Sequence, residues 1–268
     1  MRRRVRDVGG IACFAAILCV ALGGAGCTAI DETVRSGARP LRIGVSPDYP
    51  PIVQHDGDRL AGVEIELGEM AAAALGRRPE FVELAWSELI PSLTRGEIDV
   101  IMSGMSVTPE RAERVLFTEP YMRVGQLALI RKLDLARFGP PGAIRRRSSR
   151  VGYVQGTTGE DLVRGDLAAT ESYAFDSVAA GLRSLRAGRV DFFIHDAPTI
   201  WRIAMEPDSG DLVGLFRPLT EETLAWAVAP DDLALKRDLD ALLDDWRAND
   251  QIEPVLDRWI PLRIQVGD

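Results

Sequence analysis

The chain has 268 residues, 46% of them hydrophobic and 27% charged. That is enough apolar material to pack one large domain or two small ones, and it excludes global disorder. The formal net charge of −8 argues against nucleic acid as the main partner, because neutralising phosphates needs a basic face.

Arg2, Arg3, Arg4 and Arg6 precede an apolar run from Ile11 to Leu22, then Gly23, Gly24, Ala25 and Gly26, then Cys27. A charged head, a short apolar middle and a small-residue exit are the parts of a secretory signal, here residues 1–26. The run is shorter than the roughly 20 apolar residues of a membrane-spanning helix; an uncleaved anchor is the alternative. Of the three cysteines, Cys13 and Cys19 lie inside the apolar run. Cys27 is then the one thiol of the mature chain, at its first position, and no disulfide forms. So placed, Cys27 resembles the lipid-accepting cysteine of a bacterial lipoprotein, although Gly24 stands where a leucine is usual.

Residues 27–39 carry little apolar pattern and read as a tether. Residues 41–46 predict a buried strand, ended by a turn over 47–51. Helical spacing over 62–75 stops at Gly76. A strand over 79–84, a short helix over 87–93, a strand over 98–104 and a helix over 109–115 follow. A second series begins with a strand over 125–132. Residues 137–150 form an exposed loop with Arg145, Arg146, Arg147 and Arg150, read as a solvated basic face. A strand over 150–154, a helix after Gly159, a helix over 178–187 and a strand over 190–194 complete the series. One more strand is predicted over 222–228. The helix predicted over 231–258 carries Leu235, Leu239, Leu242, Leu243 and Trp246 on one stripe. Strands alternating with helices predict an α/β fold of two lobes with mostly parallel sheets, and a ligand between them at the carboxyl ends of the strands.

Three strand-to-helix junctions carry the chemistry. At the first, Thr108 suits an N-cap, Pro109 the first helical position and Glu110 the positive helix end. Arg111 does not suit that end unless an anion docks before it. The hydroxyls of Ser103 and Ser106, the turn at Gly104 and the guanidinium fork together fit a carboxylate; a surface ion pair is the alternative. The second junction, Gln155 to Glu160, is a glycine-bracketed turn with the hydroxyls of Thr157 and Thr158. It lacks the lysine of a phosphate loop, so a nucleotide is not expected. The third ends a strand in His195 and Asp196. Asp196 either caps the next helix or accepts hydrogen bonds from an ammonium in the cleft. No nucleophile motif accompanies the pair, and with His55 the only other histidine a histidine-rich metal site is excluded. Tyr49 and Trp86 follow the first and second strands, where either core or pocket wall is open to them.

The stretches RIGVSPDYPP, GVEIELGEMAAAALG, WSELIPSLTRGEIDVIMSGMSVTPER and FTEPYM resemble the first lobe of the polar amino-acid-binding proteins, family 3 of the bacterial solute-binding proteins. VGYVQGTTGE and HDAPTI continue into the second lobe, and LDDWRANDQIEPVLDRWIP resembles the terminal helices. HDAPTI is most similar to the glutamine-binding members. The resemblance implies a type II periplasmic-binding-protein fold, with residues 40–127 and 224–268 in lobe 1 and 128–223 in lobe 2. It implies that Arg111 takes the ligand carboxylate, with Gly104 and Ser106 in the same niche and Thr157 and Thr158 closing on it. Asp196 would hold the α-ammonium, and Tyr49 and Trp86 would sandwich the side chain. Ser46 stands where several members carry aspartate, and Gln155 where glutamine binders carry lysine.

So read, the protein is an exported, monomeric lipoprotein anchored through Cys27 alone. It would bind a free amino acid and serve the permease of an ABC importer, without cofactor, metal or catalysis. The alternative from the same fold is a cyclohexadienyl dehydratase with Glu160 or His195 as acid. A sensing module and an orphan lipoprotein without a permease are the others.

Overall fold

The computed structural model describes residues 39–140, 142–145, 149–167 and 171–260. The signal over 1–26, Cys27 and the tether up to Ala38 lie outside them, as do Arg146 and Arg147. In chain order the first lobe holds β1 (Leu41–Val45), β2 (Asp48–Tyr49), β3 (Val53–Asp56), β4 (Arg59–Ala61), α1 (Val63–Ala74), β5 (Pro79–Glu83), α2 (Leu89–Thr94), β6 (Val100–Ile101), α3 (Pro109–Ala112) and β7 (Leu116–Phe117). The chain crosses on β8 (Met122–Val124) into β9 (Gln126–Arg131), α4 (Leu135–Phe138), β10 (Arg150–Val154), α5 (Thr158–Arg164), β11 (Glu171–Phe175), α6 (Val178–Arg186), β12 (Phe192–Asp196), α7 (Ala197–Met205) and β13 (Leu212–Leu215). It returns on β14 (Glu222–Leu224) to β15 (Ala227–Val228), α8 (Leu233–Ala248) and α9 (Ile252–Trp259).

Each lobe is built on a five-stranded sheet, in the orders β5-β1-β6-β15-β7 and β11-β10-β12-β9-β13. The first three strands of each run parallel, and the fourth is antiparallel to both neighbours. The mostly parallel sheets expected from the strand–helix alternation are therefore mixed. The reason is connectivity: β9 and β15 have just come across from the other lobe. Each enters its sheet from the cleft end, against the strands that finish there.

The crossings themselves pair, with Val124 opposite Glu222 and Met122 opposite Leu224. This ladder splits the strand predicted over 222–228, because β15 belongs to the lobe 1 sheet. The expected lobe boundary after residue 127 falls inside β9, which pairs from Gln126 onward in the second sheet. The strand predicted over 98–104 shrinks to Val100–Ile101; of the residues that follow, Gly104 and Ser106 reach the cavity wall while Met102 and Met105 are buried in the core. The helix predicted over 231–258 breaks at Asp250, whose φ is 53°. On α8, Leu235, Leu239, Leu243 and Trp246 are buried and Leu242 packs at the margin of the same core. Among the described residues no helix is long and apolar enough to cross a membrane.

Candidate functional site

The carboxyl ends of β1, β5, β10 and β12 face a cavity of about 290 Å³ between the lobes. Tyr49, Trp86, Gly104, Ser106, Arg111, Thr157, Thr158 and Asp196 all line it. Ser103 does not: it is buried behind the wall, where its hydroxyl accepts the Ser46 backbone N–H at 2.8 Å. A strand that ends at Ile101 leaves Ser103 facing β1 rather than the cleft. Ser46, Asp48, Asp176, Ser177 and His195 complete much of the lining. Asp176 and Ser177 lie in a turn with no motif of its own, and Asp48 opens the short strand β2.

Arg111 is the cation of the site. Its backbone N–H is capped by the Thr108 hydroxyl at 3.2 Å. Its guanidinium donates to the Ser106 carbonyl at 2.9 Å and to the Gly156 carbonyl at 3.2 Å, the second across the cleft. Two of five N–H donors are thus used, and three remain for an anion. The same guanidinium lies 5.3 Å from the centre of the Trp86 ring, and Trp86 Nε1 donates to the Gly156 carbonyl at 2.8 Å. Burial lowers the Arg111 pKa, while Asp196, Asp161, Glu222 and Glu110 push it back up.

Asp196 ends β12 and begins α7 without making a side-chain cap bond. Its carboxylate instead accepts from the Tyr49 hydroxyl and from Gln126 Nε2. Burial first, and then the charge of Glu222, push its pKa up to about 7, against the bonds from Tyr49 and Gln126 and the charge of Arg111. A cation arriving beside it favours the ionised form. Tyr49 meets His195 edge to face at 5.3 Å. Burial holds His195 near pKa 4, so the ring is neutral at pH 7.

The hydroxyls depart from expectation. Thr157 donates to the Val154 carbonyl at 2.7 Å, and Ser106 and Thr158 both donate to Glu222 Oε2 at 2.7 Å. None donates toward the cavity, where hydroxyl donors for a carboxylate were expected. Glu222 was not anticipated; in the sequence it is only the polar start of a strand. Glu160 accepts the Gly156 N–H at 2.7 Å and pairs with Arg164 at 2.5 Å. It braces the turn and is not part of the lining.

Residues 41–261 match the family described as bacterial extracellular solute-binding proteins, family 3. The chain is 26% identical to the ABC transporter arginine-binding protein 1 of Escherichia coli (strain K12), over 84% of this chain and 93% of that protein. It is 26% identical to the ABC transporter glutamine-binding protein GlnH of Bacillus subtilis (strain 168), over 75% of this chain and 73% of that protein. Among solved structures, a putative binding component of an ABC transporter from Wolinella succinogenes DSM 1740, complexed with lysine, superposes with a TM-score of 0.79. That match has 27% identity and covers 82% of this chain and 95% of the other. These relatives are named as transport binding proteins, not enzymes.

Proposed function

The chain belongs to the bacterial extracellular solute-binding proteins, family 3, and from that premise we propose an exported receptor that captures a free polar amino acid for an ABC importer. The observation that carries this reading is the charge layout of one cavity. Arg111 offers free guanidinium donors, and the Asp196 carboxylate stands at the same cavity with acceptor capacity. A zwitterion needs an anion site and an ammonium site at fixed separation, and a small enclosed cleft between two lobes supplies both. Glu160, turned into its own loop, gives no support to a dehydratase. The mature protein in this reading starts at a lipidated Cys27, acts as a monomer and meets its permease at the membrane. Cys27→Ser should release it from the membrane fraction; unmodified Cys27 in native mature protein would remove the anchor.

A thermal-shift screen over the common amino acids identifies the ligand, since binding at a hundredfold excess over Kd stabilises by about 2.7 kcal/mol. Calorimetric titration of Arg111→Ala with the best ligand then tests the site. Leaving a buried carboxylate without its countercharge costs about 3–5 kcal/mol, so affinity should fall on the order of a hundredfold to a few thousandfold. Arg111→Lys should rescue little, because a point charge does not reproduce the fork. Affinity within threefold of wild type for Arg111→Ala, in a protein that still melts cooperatively, would refute the carboxylate role.

A further inference from the structure

A serine or threonine hydroxyl has one proton and two lone pairs, so whichever group takes the proton decides what the hydroxyl offers elsewhere. Glu222 Oε2 takes the protons of Ser106 in lobe 1 and Thr158 in lobe 2, each at 2.7 Å. Glu222 Oε1 takes that of Thr220 at 2.6 Å, and Thr220 is itself fixed by the Gln126 backbone N–H at 2.9 Å. The Glu222 carboxylate is thus held by three hydroxyls. Thr158 Oγ1 also accepts from Gln126 Nε2 at 3.0 Å, which leaves it one lone pair. Ser106 Oγ keeps two.

Ser106, Thr158 and Asp196 line the cavity together. We propose that Glu222 is a positioning residue of the ligand site: by holding the Ser106 and Thr158 protons it makes the Asp196 end an all-acceptor niche that takes an ammonium and rejects a carboxylate. The inference rests on the amino-acid receptor reading and refines it. It also reassigns Ser106 and Thr158, read from the sequence as carboxylate donors, to the opposite pole of the ligand. Charge supports it. Glu222 acts electrostatically on Asp196 of β12, Asp161 of α5, Tyr49 of β2 and Arg111 of α3. Three carboxylates confront one guanidinium, and a ligand ammonium offsets the surplus.

The test is Glu222→Gln, near in shape but uncharged and with an amide that donates to one of its hydroxyl partners. Wild type and variant are titrated with L-arginine, L-glutamine and their desamino counterparts, 5-guanidinopentanoate and glutaramate. For whichever amino acid binds wild type, Glu222→Gln should weaken it at least tenfold and its desamino counterpart less than threefold. Thr220→Val, which frees Oε1 and the Gln126 backbone N–H but leaves both bonds to Oε2 in place, should give a smaller loss with the same selectivity and stands in if Glu222→Gln does not fold. Equal losses for both ligands, or none, would overturn the proposal. A ligand-free arm separates it from the receptor reading. Carbon-13 titration of the Asp196 carboxyl should move to lower pH in Glu222→Gln even if neither amino acid binds wild type; an unmoved midpoint would overturn the placement of Glu222.

Discussion

Glu64 is fully buried in the first turn of α1, yet it carries an acid. Its Oε1 accepts the Tyr121 hydroxyl at 2.5 Å and the Gly104 backbone N–H at 3.1 Å. Gly104 has φ +67°, and a Cβ there would stand 2.4 Å from the Tyr49 ring, so only glycine lets the aromatic wall close over the turn. Glu64 therefore pins the backbone of the cavity wall from behind. Burial pushes its pKa up to about 7, against the bonds from Tyr121 and Gly104. An acid raised on folding contributes stability that is full below its unfolded pKa of about 4.3 and is lost as pH rises through about 7. Over that window the loss is on the order of 3 kcal/mol, at 1.36 kcal/mol for each pH unit. His195 acts in the opposite sense between about 4 and 6.5, so the informative quantity is a difference. Glu64→Gln should match wild type in melting near pH 4.5 and melt progressively higher than wild type toward pH 8. Parallel melting curves across that range would show that Glu64 does not titrate there. The sequence reading placed residue 64 on a helix and gave it no role, since helical spacing does not reveal which loop crosses above a buried position.

The two lobes repeat one small device. The residues after α2 read Gly96, Glu97, Ile98, Asp99, and those after α6 read Gly188, Arg189, Val190, Asp191. Both glycines have positive φ, near 70°, and end their helices. Asp99 then accepts the Arg42 backbone N–H at 3.0 Å and its guanidinium at 2.6 Å, and Asp191 accepts the same two groups of Arg150 at 2.8 and 2.9 Å. The first clamp fixes β1 to the start of β6, and the second fixes β10 to the start of β12. Burial would raise both acids, but the arginine bonds hold them below the ordinary value. Their contribution is present above about pH 4 and lost as pH falls below it. Asp99→Asn and Asp191→Asn should each cost about 2 kcal/mol, the lower part of the range for bonds to charged groups because the arginines are partly open to water. Their melting points should also be less sensitive to acid than that of wild type. A variant melting within a degree of wild type at pH 7 would deny the clamp. Elements were legible where burial imposes a pattern: β1, β10 and the stripe of α8 fall where the spacing put them. β11 is an edge strand with four of five residues exposed, and β2, β6 and β7 are two residues long. Such segments carry no period to read.

At the scale of the whole molecule, two series of alternating elements were enough to foresee two lobes, but not which residues meet across the cleft. Those contacts join positions far apart in sequence, and no local spacing encodes them. The Thr199 hydroxyl reaches the Pro50 carbonyl at 2.8 Å, and the Val178 N–H reaches Asp48 at 2.9 Å. Trp86 and Arg111 converge on one carbonyl, that of Gly156. In the receptor reading the lobes open and close; bonds of this kind favour the closed form, and ligand affinity follows the fraction that closes. Trp86→Phe deletes one such bond and keeps an aromatic ring beneath Arg111. A single hydrogen bond contributes about 1 kcal/mol net, so the variant should bind the ligand about fivefold more weakly by calorimetry. Its melting point without ligand should fall by no more than a few degrees, because only one bond is lost and Trp86 is not fully buried. The ligand-induced change in tryptophan emission should disappear with the indole that the closing cleft shields. Small-angle scattering separates closure from direct contact. At a ligand concentration that half-saturates wild type, Trp86→Phe should retain a larger radius of gyration, and at full saturation the two proteins should converge. If the variant keeps wild-type affinity and the emission change, the Trp86–Gly156 contact plays no part in closing the lobes.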